Sequence, residues 1–235
     1  MQLNTHEWGS GDRIALLVHG IMSDHRTWRR VGPALADLGY RAIAVDQRGH
    51  GASPRGTGDS PRQRYAFDAY AQDLVDTLPT GAELAIGHSL GGQTLLRAVD
   101  RLRPARAVYV DPAWQLERAA GLDPAVFVEF RHAGREQIEA MNPRWEAADV
   151  DVELATLAAW DPDSALALPG QSTELPAAPA VPSLVVLADG SFLLDDADAA
   201  LLRTRGFEVR TVPGAGHTVH RDDHDGFLTA LEGWI

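Results

Sequence analysis

Glu83-Leu84-Ala85-Ile86-Gly87-His88-Ser89-Leu90-Gly91-Gly92 joins a short apolar run to a helical one through a glycine-rich bend. Leu84-Ala85-Ile86 is a short apolar run of the kind a buried strand shows, and from Leu90 onward Gln93-Thr94-Leu95-Leu96-Arg97-Ala98-Val99 has helical character. Between them, Gly87-x-Ser89-x-Gly91 leaves room only for a very sharp turn. Such a turn forces the central residue into a strained backbone conformation and projects its side chain above the sheet edge. Gly87 and Gly91 flank the point where strand and helix nearly touch, so a Cβ at either is expected to collide with the other element. The bland alternative is a glycine-rich loop with an incidental serine. The strand before it and the helix after it favour a nucleophilic serine at position 89.

Upstream, Arg13-Ile14-Ala15-Leu16-Leu17-Val18 is a continuous apolar run, the mark of a strand covered on both faces in a parallel sheet. It ends in His19-Gly20-Ile21-Met22-Ser23. From Thr27 to Leu38 the spacing is helical, with Gly39 as the C-terminal cap. A second buried strand, Arg41 to Val45, runs into Asp46-Gln47-Arg48-Gly49-His50-Gly51-Ala52-Ser53-Pro54, a loop by its content of Gly, Ser and Pro. Asp68 to Leu78 reads as an amphipathic helix stopped by Pro79-Thr80-Gly81. Strand and helix in alternation mean a parallel sheet with crossover helices. In such sheets the site lies at the carboxyl ends of the strands, where His19-Gly20, the Asp46 to Pro54 loop and Ser89 all fall.

Downstream, the strand Arg106 to Val110 ends in Asp111-Pro112, after which the alternation breaks. Three short helices are expected near 124–131, 134–141 and 151–160, followed by a stiff, proline-rich connector from Pro169 to Pro182. Ser183 to Ala188 and Gly206 to Val212 return to the strand pattern. The loop Pro213-Gly214-Ala215-Gly216-His217 follows, then a closing helix with Phe227, Leu228, Leu231 and Trp234 on its buried side.

His19-Gly20, the Asp46-x-Arg48-Gly49-x-Gly51-x-Ser53 loop and Gly87-His88-Ser89-Leu90-Gly91-Gly92, in this order and spacing, resemble the α/β-hydrolase fold family. With the His217 segment the resemblance covers nearly the whole chain. It implies an α/β, doubly wound, mostly parallel sheet whose core is residues 1–111 and 182–235. A small helical cap, residues 112–181, is expected as an insertion after the sixth strand of the family's sheet. Little chain precedes the first main strand, so the antiparallel strands that open the family fold are expected to be reduced.

The resemblance also implies roles. Ser89 matches the nucleophile and His217 the base, with oxyanion donors on the backbone of Leu90 and of Ile21, or alternatively Met22. The family's usual acid position falls on Ser191, in Ala188-Asp189-Gly190-Ser191, and a neutral serine cannot stabilise an imidazolium. Asp111, at the end of the strand before the cap, holds the position some family members use; Asp189 is the second choice. Asp111 beside Pro112 also suits a simple turn-capping role. The ring of His19 is expected to brace its loop, His50 and His88 read as scaffold, and Arg48 has no evident substrate role.

Phe127, Phe130, Trp145 and Trp160 in the cap either line an acyl pocket or, more commonly for such residues, bury a small helical layer. From Asn142 to Asp163 six carboxylates stand against one arginine, a solvated face that would discourage anionic substrates. His217-x-x-His220-x-x-x-His224 has ligand-type residues, but its first spacing does not suit a helical zinc pair, so no metal is expected.

Composition bounds the rest. At 235 residues the chain can bury a full core. A net charge of −12 argues against nucleic acid and anionic membranes. Zero cysteines exclude disulfides and thiol chemistry. The first residues lack a signal-peptide pattern and no run approaches a membrane span, so a cytoplasmic protein is expected. The resulting expectation is a cofactor-free serine hydrolase acting on a small or medium apolar ester, or a lactone, through an acyl-enzyme. A C–C bond hydrolase or a perhydrolase on the same residues is the alternative within enzymes, and a non-catalytic ligand receptor the alternative outside them. No feature of the sequence sets an oligomeric state.

Overall fold

The computed structural model describes residues 1–116 and 123–235. Seven strands form one sheet: β1 (Thr5–Trp8), β2 (Arg13–Val18), β3 (Tyr40–Val45), β4 (Leu84–His88), β5 (Arg106–Val110), β6 (Ser183–Ala188) and β7 (Glu208–Val212). Their order across the sheet is β1-β3-β2-β4-β5-β6-β7. β1 runs antiparallel to β3, and every other pair is parallel. The antiparallel lead-in is thus one strand of four residues. With only that one strand preceding the parallel ones, residues 112–181 follow the fifth strand by this chain's own count rather than the sixth.

The helices, in chain order, are α1 (Val31–Asp37), α2 (Pro61–Arg64), α3 (Phe67–Thr77), α4 (Leu90–Leu102), α5 (Pro124–Phe130), α6 (Arg135–Met141), α7 (Ala147–Ala159), α8 (Asp163–Leu166), α9 (Asp196–Thr204), α10 (Val219–Asp222) and α11 (His224–Ala230). The helical spacing read from Thr27 to Leu38 divides into a 3₁₀ turn, His25–Trp28, and α1. α9 opens with a capping box, Asp195 and Asp198 each bonding the other's backbone N–H. The acidic pair three residues apart carries that cap in the sequence itself.

Alternate residues of each central strand enter opposite cores. Leu16, Val18, Ile43, Val45 and Ala85 pack on one face, against Leu74, Leu95 and Trp114. Ala15, Leu17, Ala42, Ala44, Leu84 and Ile86 pack on the other, against Trp28, Leu35 and Phe227. Burial on both faces is why the strands read as unbroken apolar runs. The helices of residues 124–166 share a smaller cluster built on Ile138, Val150, Leu157, Trp160 and Ala165, with Ile21 and Met22 packed against it.

The registers bring the loop-bearing strand ends together. Val18 pairs with Gly87, His88 with Val110, Val110 with Val186, and Ala188 with Val212. The residues that follow β2, β4, β5 and β7 therefore emerge at one edge, where the strand order reverses around β2 and β4.

Candidate active site

Ser89 sits between β4 and α4 with φ 52° and ψ −117°. A serine at this φ costs roughly 1–3 kcal/mol and persists only where the surroundings over-determine it. Here they do. The Ser89 N–H donates to the Val110 carbonyl at 2.9 Å, and the Ser89 carbonyl accepts from Gln93 and Ala113, each at 3.1 Å. A Cβ on Gly87 would stand 2.6 Å from the Gly91 carbonyl oxygen, the strand-to-helix approach expected from the spacing. Gly91 differs in detail: a Cβ there would meet the carbonyls of Val18 and His19, so this glycine lets α4 press on the end of β2 rather than on β4.

Ser89 Oγ lies 3.0 Å from His217 Nε2, and His217 Nδ1 lies 2.6 Å from Asp111 Oδ2. An anionic carboxylate can only accept, so Nδ1 carries the proton and Nε2 is left free to accept from the serine hydroxyl. Asp111 is fully buried and takes φ 39°, an uncommon value for a residue that precedes proline. Its amide donates to Val186 at 2.8 Å, and its Oδ1 accepts the Ala188 N–H at 3.3 Å.

Asp189 and Ser191 do different work. Asp189 is exposed; its Oδ2 accepts the Gly214 N–H at 2.7 Å and its N–H donates to Ala215 at 2.8 Å, fastening the loop that carries His217. Ser191 Oγ accepts the N–H groups of Leu193 and Leu194, both at 3.1 Å, a turn inside the β6–α9 connection.

Among the described residues no protein group accepts from the backbone N–H of Ile21, Met22 or Leu90. For Leu90 this is the ordinary state of the first position of a helix. The loop bearing Ile21 is held by His19, whose Nδ1 donates to the Gly20 carbonyl at 2.6 Å while Nε2 accepts the Gln47 N–H at 2.9 Å. His19 is thus the brace its position implied. His88 Nε2 donates to the His217 carbonyl at 2.9 Å. Burial, then the neighbouring His217, hold the His88 imidazole well below its ordinary range, so it stays neutral beside the site.

The Asp46 to Pro54 loop is scaffold. Asp46 accepts from His25, Asn4 and Ala52, all within 2.9 Å, and Ser53 Oγ donates to the Asp46 carbonyl at 2.5 Å. Arg48 is buried on Asp73 at 2.6 Å and donates to the carbonyls of Arg64 and Ala69.

The histidines of the 217–224 stretch do not converge. His217 faces Ser89, while His220 bonds Thr27 Oγ1 at 2.9 Å and stacks on Trp28. Among the described residues, Asp24, His25 and Asp46 do gather closely. Arg26 takes Asp24, His25 takes Asp46, and the cluster is satisfied from within the protein.

Ser89 and His217 open into a cavity of about 780 Å³. Phe127 and Trp145 line it, whereas Trp160 is buried in the helical layer and Phe130 packs against that layer, so the four aromatics divide between both expected roles. Sequence reasoning missed Leu116, Leu168, Phe192 and Arg221, which line the cavity from four separate segments. The acidic run is not a bare negative face. Glu146 and Asp149 pair with Arg29, Asp151 with Arg135, Glu153 with Arg221, Asp161 with Arg55 and Asp163 with Arg64. These five arginines lie far off in sequence from their six carboxylates or across a turn, which a local charge count cannot register.

Comparison with known proteins bears on the fold and the family. A family model described as the alpha/beta hydrolase family matches residues 15–230. A 2-(acetamidomethylene)succinate hydrolase from Mesorhizobium japonicum is 32% identical, covering 99% of this chain and 91% of the relative. Among solved structures, an N-formylmaleamic acid deformylase from Pseudomonas putida superposes with a TM-score of 0.77 at 24% identity, over 98% of this chain and 96% of that one. A thermophilic esterase from Thermogutta terrifontis gives 0.73 at 22%, over 99% and 92%. At these identities the structural likenesses speak for the fold alone. The family model and the full-length relative speak for more: this chain belongs to the alpha/beta hydrolase family.

Proposed function

We propose that the protein is a serine hydrolase that cleaves small or medium carboxylic esters, lactones included, through an acyl-enzyme. One observation carries the reading: a serine hydroxyl, an imidazole and a buried carboxylate in line, at 3.0 and 2.6 Å. In this reading His217 Nε2 takes the Ser89 proton as Oγ attacks the acyl carbonyl. Asp111 holds the imidazole in the reactive tautomer and offsets the charge of the imidazolium. The N–H groups of Leu90 and Ile21, with Met22 as the alternative second donor, receive the oxyanion, because they are preorganised and carry no other bond. His217 then returns its proton to the leaving alcohol. A water activated by the same imidazole adds to the acyl-enzyme and frees the acid and Ser89.

Residues 112–181 serve in this reading as a cap over the site, and the apolar side chains of Leu116, Phe127, Leu168 and Phe192 hold the hydrocarbon part of the substrate. No helix among the described residues is long and apolar enough to cross a membrane, and a cytoplasmic enzyme without a cofactor is the setting we propose. C–C bond cleavage on the same three residues is the second reading, since the hydrolase family relationship leaves the scissile bond open.

A panel of short-chain para-nitrophenyl esters and of vinylogous diketones, with Ser89→Ala as control, tests the proposal. Turnover of esters that vanishes in Ser89→Ala supports it. Turnover of diketones alone moves the assignment to C–C cleavage, and no turnover of either removes the catalytic reading.

A further inference from the structure

One charged side chain in the cavity is left half-satisfied. Arg221 is 3% exposed and lines the same cavity as Ser89. Its Nη1 donates to Glu153 Oε2 at 2.6 Å, and its guanidinium lies over the Trp145 ring, 4.7 Å from the centroid. Nε and Nη2 are buried and have no partner. These two nitrogens share one edge of the planar guanidinium, the edge whose parallel N–H bonds match both oxygens of a carboxylate. Leaving two donors of a buried cation unmet is costly, and native proteins seldom tolerate it without water, a ligand or an ion to meet them. Ser23, a second wall residue, also has a buried hydroxyl without a partner.

Arg221 is the one arginine or lysine lining the cavity among the described residues. Glu153 and Trp145 fix the plane of its guanidinium, so the unpaired edge is held rather than free to swing. The six-carboxylate run that reads as repulsive to anions is paired throughout, and Glu153 itself is spent on Nη1. The wall, which also carries Asp123, Gln171, Thr27 and Thr218, therefore holds a planar, oriented donor pair on Arg221 and a hydroxyl on Ser23, both without partners.

We infer that Arg221 is a specificity-determining residue that binds a carboxylate carried by the substrate, through Nε and Nη2, so that the preferred substrate is an acyl compound bearing a second, ionised acid group. This deepens the hydrolase reading and rests on it, with Ser89 acting on one carbonyl while Arg221 holds the acid.

The test uses the mono-para-nitrophenyl ester of glutaric acid and its methyl ester, which differ only in the charge at the far end. The wild-type protein is expected to favour the acid by roughly tenfold or more in kcat/KM. Arg221→Gln should lose roughly ten- to a hundredfold on the acid, chiefly in KM, and less than about threefold on the methyl ester. Arg221→Lys should recover part of the loss. Equal losses on both esters, or no wild-type preference for the acid, would overturn the inference in favour of a structural strut. If Arg221→Gln does not fold, Glu153→Gln provides the second reading. It removes the competing negative charge and should lower KM for the acid alone; equal change on both esters counts against the proposal. Titration of glutarate into Ser89→Ala protein, followed by calorimetry, separates the two levels. Binding that Arg221→Gln abolishes, with no ester turned over by the wild type, keeps the carboxylate site and removes the hydrolase reading.

Discussion

Asp111 Oδ2 meets His217 Nδ1 at 2.6 Å from the end of β5, while Asp189, at the end of β6, bonds only the backbone of the loop on which His217 stands. Two carboxylates from adjacent strands thus approach one loop and divide the work. The first contacts the imidazole; the second contacts the chain that carries it.

That division predicts unequal losses. Asp111→Asn leaves the geometry but lets the side chain donate, which favours the wrong imidazole tautomer. It is expected to lower kcat by roughly a thousandfold or more. Asp189→Asn keeps an acceptor for the Gly214 N–H and is expected to cost less than about tenfold. Steady-state kinetics on any accepted ester decides, and the reverse order of losses would move the acid to Asp189.

The turn at Ser89 predicts a stability effect at Gly91. A Cβ there falls on the carbonyls of Val18 and His19, backbone atoms that cannot step aside without breaking the β2–β4 pairing. Gly91→Ala is expected to lower Tm by roughly 5 °C or more, from a loss of at least about 2 kcal/mol. Gly134→Ala, where a Cβ meets open space, is the matched control and is expected to stay within about 1 kcal/mol of the parent. Differential scanning calorimetry of the two variants tests this, and equal Tm values would contradict it.

Buried imidazoles set the response to acid. Burial pushes His19, His88 and His220 below the ordinary histidine value, and His50 down to about 3. In the unfolded chain these groups take up protons near the ordinary value of 6.5. Below that pH the unfolded state therefore binds more protons, and stability falls as pH falls. His25 has the opposite sign. Its hydrogen bond to Asp46 raises it above the ordinary value, so its contribution is complete below 6.5 and is lost as pH rises through the folded value. Four groups outweigh one. Tm is expected to drop as pH goes from 7 to 5, before most carboxylates titrate, and a flat Tm over that range would contradict the neutral state of these rings.

Much of this arrangement was legible in the chain before any coordinates. The glycine spacing around Ser89 and the unbroken apolar runs of β2, β4 and β6 reflect local sterics and two-sided burial, both of which leave a mark on consecutive residues. β1 escaped because a four-residue edge strand with exposed side chains carries little apolar signal. The choice between Asp111 and Asp189 stayed open because both follow a strand, and only the register of β5 on β6 with the path of the 213–217 loop distinguishes them. Arg221 was invisible for a related reason. It lies next to His220 and Asp222 in a polar stretch, and its burial comes from Trp145 and Glu153, which stand about 70 residues away.

In the proposed mechanism His217 makes the Ser89 hydroxyl nucleophilic. Reaction with a fluorophosphonate, read by intact mass and peptide mapping, tests it most directly, because the probe reports the activated serine without knowledge of the substrate. One adduct per chain is expected on Ser89, none in Ser89→Ala, and labelling slowed by roughly a hundredfold or more in His217→Gln. An unlabelled wild-type protein, an adduct on another serine, or an undiminished rate in His217→Gln would contradict it.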